Sequence, residues 1–403
     1  MHTACMRLAA LLVLPFTLIA QDWPQLLGPN RDGVYTGPFS PKPPLSKLWE
    51  HKVGEAFSAP VVAQGRVLVY HRTGDEDILE SLDAATGKTQ WTYKYKTAYR
   101  DDFGFLEGPR AAPTVDGDRV YLFSAESVLR CVNLGTGKLI WQVDARERFG
   151  ASKEYFGAAP APVVEGKLLL ANVGGRRDAG IVGLDKMTGA TVWKAAPDEA
   201  GYSSPNVVTI NGARHALFLT RTGLIDADPA NGSIRFQLRW RARMAASVNA
   251  AIPQAAGNLV FISASYGTGA TVLEVTGNAY KQLWQGDDEL SNHYSTSVIL
   301  NGYLYGWHGR QEMGQELRCV ELRTGKVQWS VPNLRAGTVT LMKDHLLVIT
   351  ESGEVLIAPA APKSFQPLLK KKLLEPTVRS YPALSDGRLY VRNEQTLAAF
   401  TIR

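Results

Sequence analysis

The chain has 403 residues, of which 45% are hydrophobic and 20% are charged, so it has the composition of a globular protein and not of a disordered one. Lysine and arginine together exceed aspartate and glutamate by only six, and no run of five like charges occurs, which argues against a nucleic-acid-binding surface. The 37 glycines and 22 prolines are spread over the whole length, a pattern typical of short strands joined by frequent turns.

The N-terminal segment, residues 1–20, has the features of a secretory signal peptide. Arg7 supplies a positive charge, an apolar run follows, and Ala20 provides a small residue for cleavage. The run is shorter than the roughly 20 residues of a membrane-spanning helix. Cys5 precedes the run, so a lipid anchor after cleavage is not expected. We therefore predict a mature chain, residues 21–403, that is periplasmic or secreted; a buried N-terminal helix is the alternative.

Two phrases repeat along the rest of the chain. One places an acidic residue or asparagine before Thr-Gly, usually with Lys, and ends in tryptophan; its clearest copies end at Trp91, Trp141, Trp193 and Trp329. The other has β-branched residues before a turn, and its eight turn positions are Gly65, Gly117, Gly166, Gly212, Gly257, Gly302, Asp344 and Gly387. These positions are 42 to 52 residues apart. A repeat of this length is the length of one β-propeller blade.

The two ends of the chain complement each other. The eighth repeat reaches Leu397–Phe400 and has no terminal tryptophan strand, whereas Leu48-Trp49-Glu50 is a terminal strand with no blade before it. An immunoglobulin-like array needs two sheets in about 100 residues and does not explain the shorter repeat. The sequence predicts an all-β, eight-bladed β-propeller of four-stranded antiparallel blades. It forms one domain, closed by an N-terminal strand.

The repeated tryptophans and the cysteines have structural interpretations. A tryptophan that opens the last strand of each blade is suited to packing between blades, with its indole N–H bonded to one acceptor. Cys131 and Cys319 lie six residues before Gly137 and Gly325, in the second and sixth blades. Residues on opposite sides of the ring lie farther apart than the Cα–Cα distance of about 7 Å that a disulfide tolerates. We expect two free, buried thiols.

Several phrases resemble one family: Asp22-Trp23-Pro24-Gln25, Gly108-Pro109-Arg110, Gly201-Tyr202-Ser203-Ser204-Pro205 and Gly387-Arg388-Leu389-Tyr390-Val391-Arg392. Together with the repeats, they resemble the PQQ-like (pyrroloquinoline quinone repeat) β-propellers of the quinoprotein alcohol dehydrogenase-like superfamily, from Trp23 to the C terminus. They are similar to BamB-like secreted bacterial propellers. The superfamily includes both quinone-dependent dehydrogenases and non-catalytic scaffolds, so the resemblance implies the fold and leaves the activity open.

The sequence therefore leaves two functions open. The first is a non-catalytic envelope scaffold that binds a protein, a peptide or a glycan, with no cofactor and no nucleic acid, as a monomer. The alternative is an alcohol dehydrogenase-type oxidoreductase that uses PQQ and calcium. The resemblance implies that such an enzyme has oxygen ligands for calcium, a catalytic aspartate and usually a disulfide between adjacent cysteines. The mature chain lacks an adjacent cysteine pair, and no hydrolase or phosphate-loop motif occurs.

The candidate site is the mouth of the channel, where residues that lead into each inner strand form a ring. Those positions hold aromatic and polar side chains: Phe57, Arg110, Phe156, Tyr202, Asn249, His293, Tyr294, Arg379 and Tyr381. Arginine and tyrosine combine a broad contact surface with hydrogen-bond donors, as in interface anchors. The alternative is that they only fill and solvate the mouth. No catalytic or metal-ligating residue is assigned.

Overall fold

The computed structural model describes residues 21–153 and 155–403, so the predicted signal peptide lies outside the described residues. Strands dominate this part of the chain, and its helical elements are α1 (Ala145–Phe149) and a 3₁₀ turn (Gln311–Met313). In the described part of the chain, no helix is long and apolar enough to cross a membrane.

The first strands, β1 (Val34–Tyr35) and β2 (Lys47–Lys52), precede the blades in the chain. Blades 1 to 4 are each a four-stranded antiparallel sheet in chain order from the channel outward. Blade 1 is Val61–Ala63, Arg66–Thr73, Glu76–Asp83 and Thr89–Lys96 (β3–β6); blade 2 is Thr114–Asp116, Arg119–Phe123, Val128–Asn133 and Leu139–Asp144 (β7–β10); blade 3 is Val163–Glu165, Leu168–Gly175, Ala179–Asp185 and Thr191–Ala195 (β11–β14); blade 4 is Asn206–Ile210, Ala213–Leu219, Gly223–Ala227 and Ile234–Arg239 (β15–β18).

Blades 5 to 8 repeat the pattern. Blade 5 is Gln254–Ala256, Leu259–Ala264, Gly269–Thr276 and Ala279–Gly286 (β19–β22); blade 6 is Val298–Leu300, Tyr303–His308, Glu316–Glu321 and Val327–Val331 (β23–β26); blade 7 is Gly337–Met342, His345–Thr350, Glu354–Pro359 and Leu369–Lys372 (β27–β30); blade 8 is Ala383–Ser385, Arg388–Arg392 and Thr396–Thr401 (β31–β33), completed by β2. Trp49 of β2 lies opposite Ala399 of β33. The predicted eight-bladed ring and its closure by an N-terminal strand are confirmed. Blade 7 gains β1 as a fifth, parallel strand on β27.

The repeated turns and tryptophans join neighbouring blades. The Asp83 carboxylate accepts hydrogen bonds from the backbone N–H of Ala85 (3.1 Å) and Thr86 (2.8 Å), which closes the turn before Gly87. Gly87 has φ of 71°, and a Cβ there would collide with the Trp49 ring. Each terminal indole donates to a carbonyl of the next blade; Trp91 Nε1, for example, lies 2.9 Å from the Leu134 oxygen. The tryptophans are structural, as predicted.

The two cysteines are free and fully buried, Cys131 in β9 of blade 2 and Cys319 in β25 of blade 6. Burial raises the pKa of the Cys131 thiol to about 11 and that of Cys319 to about 12. Both thiols therefore remain protonated at neutral pH. The prediction of two unpaired buried thiols in distant blades is confirmed.

The segment before β2 has a role that the sequence analysis did not assign. This leader, residues 21–35, runs across the channel and forms hydrogen bonds with seven of the eight blades. Its hydrogen-bond partners are Val62 in blade 1, Val115 in blade 2, Ala161 and Pro162 before β11, Pro205 before β15, Gln254 in blade 5, Leu341 in blade 7 and Gly387 in blade 8. One cavity of about 420 Å³ borders the leader on the face where the inner strands end, and another borders it on the face where they begin. The leader thus separates the two ends of the channel.

The Arg31 side chain connects the leader to three blades. Its side chain is buried and donates to the carbonyl oxygens of Ala161 (3.1 Å), Pro162 and Pro205 (2.8 Å). It also donates to Thr114 Oγ1 at 3.3 Å. Burial lowers the pKa of Arg31 to about 9, so the guanidinium stays charged at neutral pH. It ties together blades 2, 3 and 4 through neutral oxygens.

Candidate functional site

The candidate site is a cavity of about 410 Å³ at the face where the inner strands begin, here called the funnel. Its size lies within the roughly 300–1,000 Å³ of small-molecule and cofactor pockets. Leu26 of the leader contributes to its floor. Eight of the nine predicted residues line it: Phe57, Arg110, Phe156, Tyr202, His293, Tyr294, Arg379 and Tyr381. They come together because each lies just before an inner strand or in the loop that leads into it.

Asn249 is the exception, because it does not line the funnel. Its buried side-chain amide donates to the backbone carbonyl oxygens of Thr220 and Trp240, both at 2.8 Å. The backbone carbonyl of Asn249 accepts a hydrogen bond from the backbone N–H of Tyr202. These bonds hold the segment 244–252, which begins with a turn closed by the Ser247 N–H and the Met244 carbonyl, and whose side chains at even-numbered positions line the funnel. Asn249 is a positioning residue for that wall.

The wall formed by blades 1 to 4 is aromatic. Phe57 lies between two guanidinium groups, with Arg110 Cζ 5.9 Å and Arg379 Cζ 5.4 Å from its ring centroid. Phe156 packs with its ring centroid 5.1 Å from that of Phe103 and 5.6 Å from that of Tyr202. The rings of Phe103, Phe156 and Tyr202 thus form one apolar surface, and the Arg110 guanidinium contacts both Phe156 and Phe57.

The arginines of the funnel each have a carboxylate partner. Arg110 Nη2 lies 2.6 Å from Asp101 Oδ2, and the Asp101 side chain is fully buried. Arg379 Nε lies 2.7 Å from Glu351 Oε1, and Arg310 Nε lies 3.3 Å from Glu312 Oε2. The charges therefore cancel in pairs around the cavity.

The polar groups of the opposite wall also bond to one another. His293 Nε2 lies 2.7 Å from the Tyr266 hydroxyl, and its Nδ1 is bonded to Gln311 Oε1. Since the amide oxygen is an acceptor, Nδ1 carries the proton and Nε2 accepts from Tyr266. Burial lowers the pKa of His293, which favours this neutral form. The Tyr294 hydroxyl donates to Glu351 Oε1 at 2.8 Å, and burial raises the pKa of Tyr294.

Part of the lining was missed by the sequence analysis. The additional residues are Leu26, Phe103, Phe105, Met244, Ala246, Val248, Ala250, Ile252, Tyr266, Arg310, Gln311 and Glu312, among others. Two signals for them exist in the sequence. The longest repeat spacing, 52 residues between Gly65 and Gly117, contains the loop with Phe103 and Phe105. The segment 244–252 is apolar except at Ser247 and Asn249, which indicates that it is partly buried.

The donor set of the funnel does not fit a quinone held by calcium. Calcium takes six to eight oxygen ligands. In residues 21–153 and 155–403, no three His, Cys, Asp or Glu side chains come together as metal ligands. Asp101, Glu312 and Glu351 already form ion pairs with arginines. We therefore derive no catalytic step through such a cofactor, and the expectation that none is bound stays a prediction.

Comparison with known proteins places the chain in a family. The family model described as outer membrane protein assembly factor BamB matches residues 46–142, 96–306 and 313–403. Two curated relatives are quinoprotein ethanol dehydrogenases, from Pseudomonas aeruginosa (26% identical) and Pseudomonas putida (25%). Each match extends over 189 residues, which is 43% of this chain and 28% of the relative. The matched region thus spans under a third of the length of these dehydrogenases.

Solved structures support the same fold. BamB from Moraxella catarrhalis aligns with a TM-score of 0.63 at 14% identity, covering 89% of this chain and 98% of BamB. Quinohemoprotein alcohol dehydrogenase from Comamonas testosteroni aligns with a TM-score of 0.68 at 12% identity, covering 95% and 80%. These identities establish the fold alone. The matches of the family model extend over most of the chain. They show that the chain belongs to the PQQ-like β-propeller family, whose model is described as outer membrane protein assembly factor BamB.

Proposed function

We propose that this protein is a non-catalytic binding scaffold of the bacterial envelope that holds a protein, a peptide or a glycan at its funnel. The observation that carries this proposal is the funnel itself, a cavity closed by the leader and lined by residues from seven blades. Its aromatic wall provides contact area, and its carboxylates are occupied by arginines instead of being free for acid–base chemistry. A periplasmic or secreted location and a monomeric state are part of the proposal.

The test is photocrosslinking in the native envelope. A photoreactive phenylalanine analogue replaces Phe105, whose side chain is 66% exposed at the funnel, or, as a control, Val192, which is 55% exposed on outer strand β14. We expect an adduct from position 105 and none from position 192. Equal adducts at both positions, or none at either, would contradict a binding role for the funnel.

Substitution of the predicted pair Arg110→Ala and Tyr202→Ala is a weaker test. Loss of both anchors is expected to reduce partner binding by more than about tenfold, or about 1.4 kcal/mol. However, Arg110→Ala also leaves the buried Asp101 carboxylate without its cation. The double variant is therefore expected to lose thermal stability as well as binding. Variants at exposed funnel residues separate binding from folding better.

The second candidate is a quinone-dependent oxidoreductase, which the similarity to quinoprotein ethanol dehydrogenases favours. It is tested by adding PQQ and Ca²⁺ to the purified protein, followed by gel filtration and a dye-linked assay with simple alcohols. The scaffold proposal predicts no retained chromophore and no dye reduction. Stoichiometric retention of PQQ would replace it with the oxidoreductase.

A further inference from the structure

We infer that the occupant of the funnel is a segment of another polypeptide that inserts uncharged aromatic or long aliphatic side chains. This inference rests on the proposed function and names the class of partner. It follows from three properties of the funnel: the pairing of its charges, the internal bonding of its polar groups, and the exposed apolar side chains at its rim.

The charges argue against an ionic ligand. Each lining arginine is within 3.3 Å of a carboxylate oxygen, so an anionic phosphate or carboxylate group would compete with a partner that is already in place. A cationic ligand would compete in the same way with the arginines for the carboxylates. An uncharged ligand avoids both costs.

The polar groups argue against a neutral glycan. A sugar needs several free donors and acceptors, but the hydroxyls of this cavity already have partners within the protein. Tyr294 donates to Glu351, and Tyr266 donates to His293. Tyr381 accepts from the Thr296 N–H, and Tyr202 accepts from the Phe156 N–H at 3.1 Å. These bonds leave mainly ring faces and aliphatic groups for contact with a ligand.

The rim argues for a protein partner. Phe103 (48% exposed), Phe105 (66%) and Met244 (50%) border the cavity, and Met313 (79%) follows the lining residue Glu312. Aromatic residues, methionine and arginine are the residue types enriched in protein interfaces. Methionine also adapts its shape to different apolar partners. The aromatic wall on one side and the aliphatic segment 244–252 on the other provide contacts for apolar side chains.

The inference is tested with defined probes and fluorescence anisotropy. The probe is a labelled peptide of alternating phenylalanine and threonine, and its matched control has serine in place of each phenylalanine. Unlabelled maltohexaose serves as the neutral glycan competitor. We expect the phenylalanine peptide alone to bind, with no competition by maltohexaose.

Two double variants locate the binding. Phe103→Ser with Phe105→Ser should weaken peptide binding by at least about tenfold. Met187→Ser with Val192→Ser removes side chains that are 48% and 55% exposed away from the funnel, and should leave binding unchanged. Met244→Ser, at a single exposed position on the aliphatic wall, should weaken binding as well and provides a second funnel variant if the first one folds poorly.

Several results would overturn the inference. These are binding of maltohexaose but not of the peptide, equal binding of both peptides, equal effects of both double variants, or a dimer in light scattering that only the Phe103 and Phe105 variant abolishes. If no probe binds while position 105 still crosslinks in the envelope, the partner class is wrong and the proposed function stands. If position 105 does not crosslink either, both fail.

Discussion

Arg31→Ala should destabilise the protein far more than an ordinary arginine substitution. The guanidinium donates to three carbonyl oxygens, to Thr114 Oγ1 and to Gln25 Oε1. A hydrogen bond with one charged partner contributes about 1.5–3 kcal/mol. The gross sum is offset by the cost of burying the charge, which is several kcal/mol. Removing the side chain leaves buried carbonyl oxygens without a donor, so we expect a net loss of about 3–5 kcal/mol.

The matched control is Arg214→Ala. Arg214 forms a two-bond ion pair with Glu165, with N–O distances of 2.8 and 2.7 Å, but its side chain is 44% exposed. Such a surface pair contributes about 0–1 kcal/mol. Arg31→Lys should be intermediate, because an ammonium group cannot reach all the oxygens that the planar guanidinium bridges.

The assay is urea unfolding followed by tryptophan fluorescence, with hydrogen exchange at the leader. The backbone N–H of Trp23 donates to the Val62 carbonyl at 2.8 Å. In Arg31→Ala this amide should lose its protection against hydrogen exchange. Equal losses of stability for Arg31→Ala and Arg214→Ala would refute the reasoning. Unchanged protection at Trp23 would show that Arg31 does not hold the leader in place.

Three further predictions concern other parts of the molecule. Alkylation and mass spectrometry after denaturation should show Cys131 and Cys319 as free thiols, and a bridge between them would contradict their placement in opposite blades. Deleting residues 21–52 removes the leader and β2, so it should expose the edge of β33 and promote aggregation; a monomer with an unchanged melting temperature would count against closure. Burial raises the pKa of Asp77 from 3.8 to about 6, so the folded state binds more protons than the unfolded state between about pH 4 and 6. Stability should fall by about 1–3 kcal/mol as pH rises through this range, and Asp77→Asn should flatten the profile; equal slopes in denaturation of both proteins would refute this.

The fold was predictable because its determinants are local and repeat. The Asp83 turn and its neighbours recur at a fixed distance from an inner strand, so one repeat defines the blade and the count defines the ring. The same register located most of the funnel, since Phe57 and Tyr202 occupy equivalent positions. Asn249 is one residue out of this register: Ala250 lies six residues before Ala256, as Phe57 lies six before Ala63, and the Asn249 side chain bonds to Thr220 and Trp240 instead. Which of two adjacent residues faces the funnel depends on the exact pairing of the inner strand, which the repeat alone does not define.

The leader was not predictable for a different reason. Arg31 bonds to residues 130 and 174 positions away, and nothing in its local sequence indicates carbonyl partners in blades 3 and 4. The stretch Gly-Pro-Asn-Arg-Asp-Gly predicts a turn or loop, in which a charged side chain is expected to be exposed. Its burial follows only from the ring, which brings distant carbonyl groups together around one point. The loop containing Phe103 and Phe105 lies outside the repeat and was missed for the same lack of local pattern.

The pairing of β2 with β33 also sets the order of events during biosynthesis. Lys52 lies opposite Thr396, so β2 has its partner 344 residues later in the chain, and the ring stays open until that partner has been made. Until then both edges of the growing array are open, and unpaired strand edges are templates for aggregation. Contacts of such long sequence separation also slow folding. The edges that β2 and β33 leave open are therefore covered only when these two strands meet.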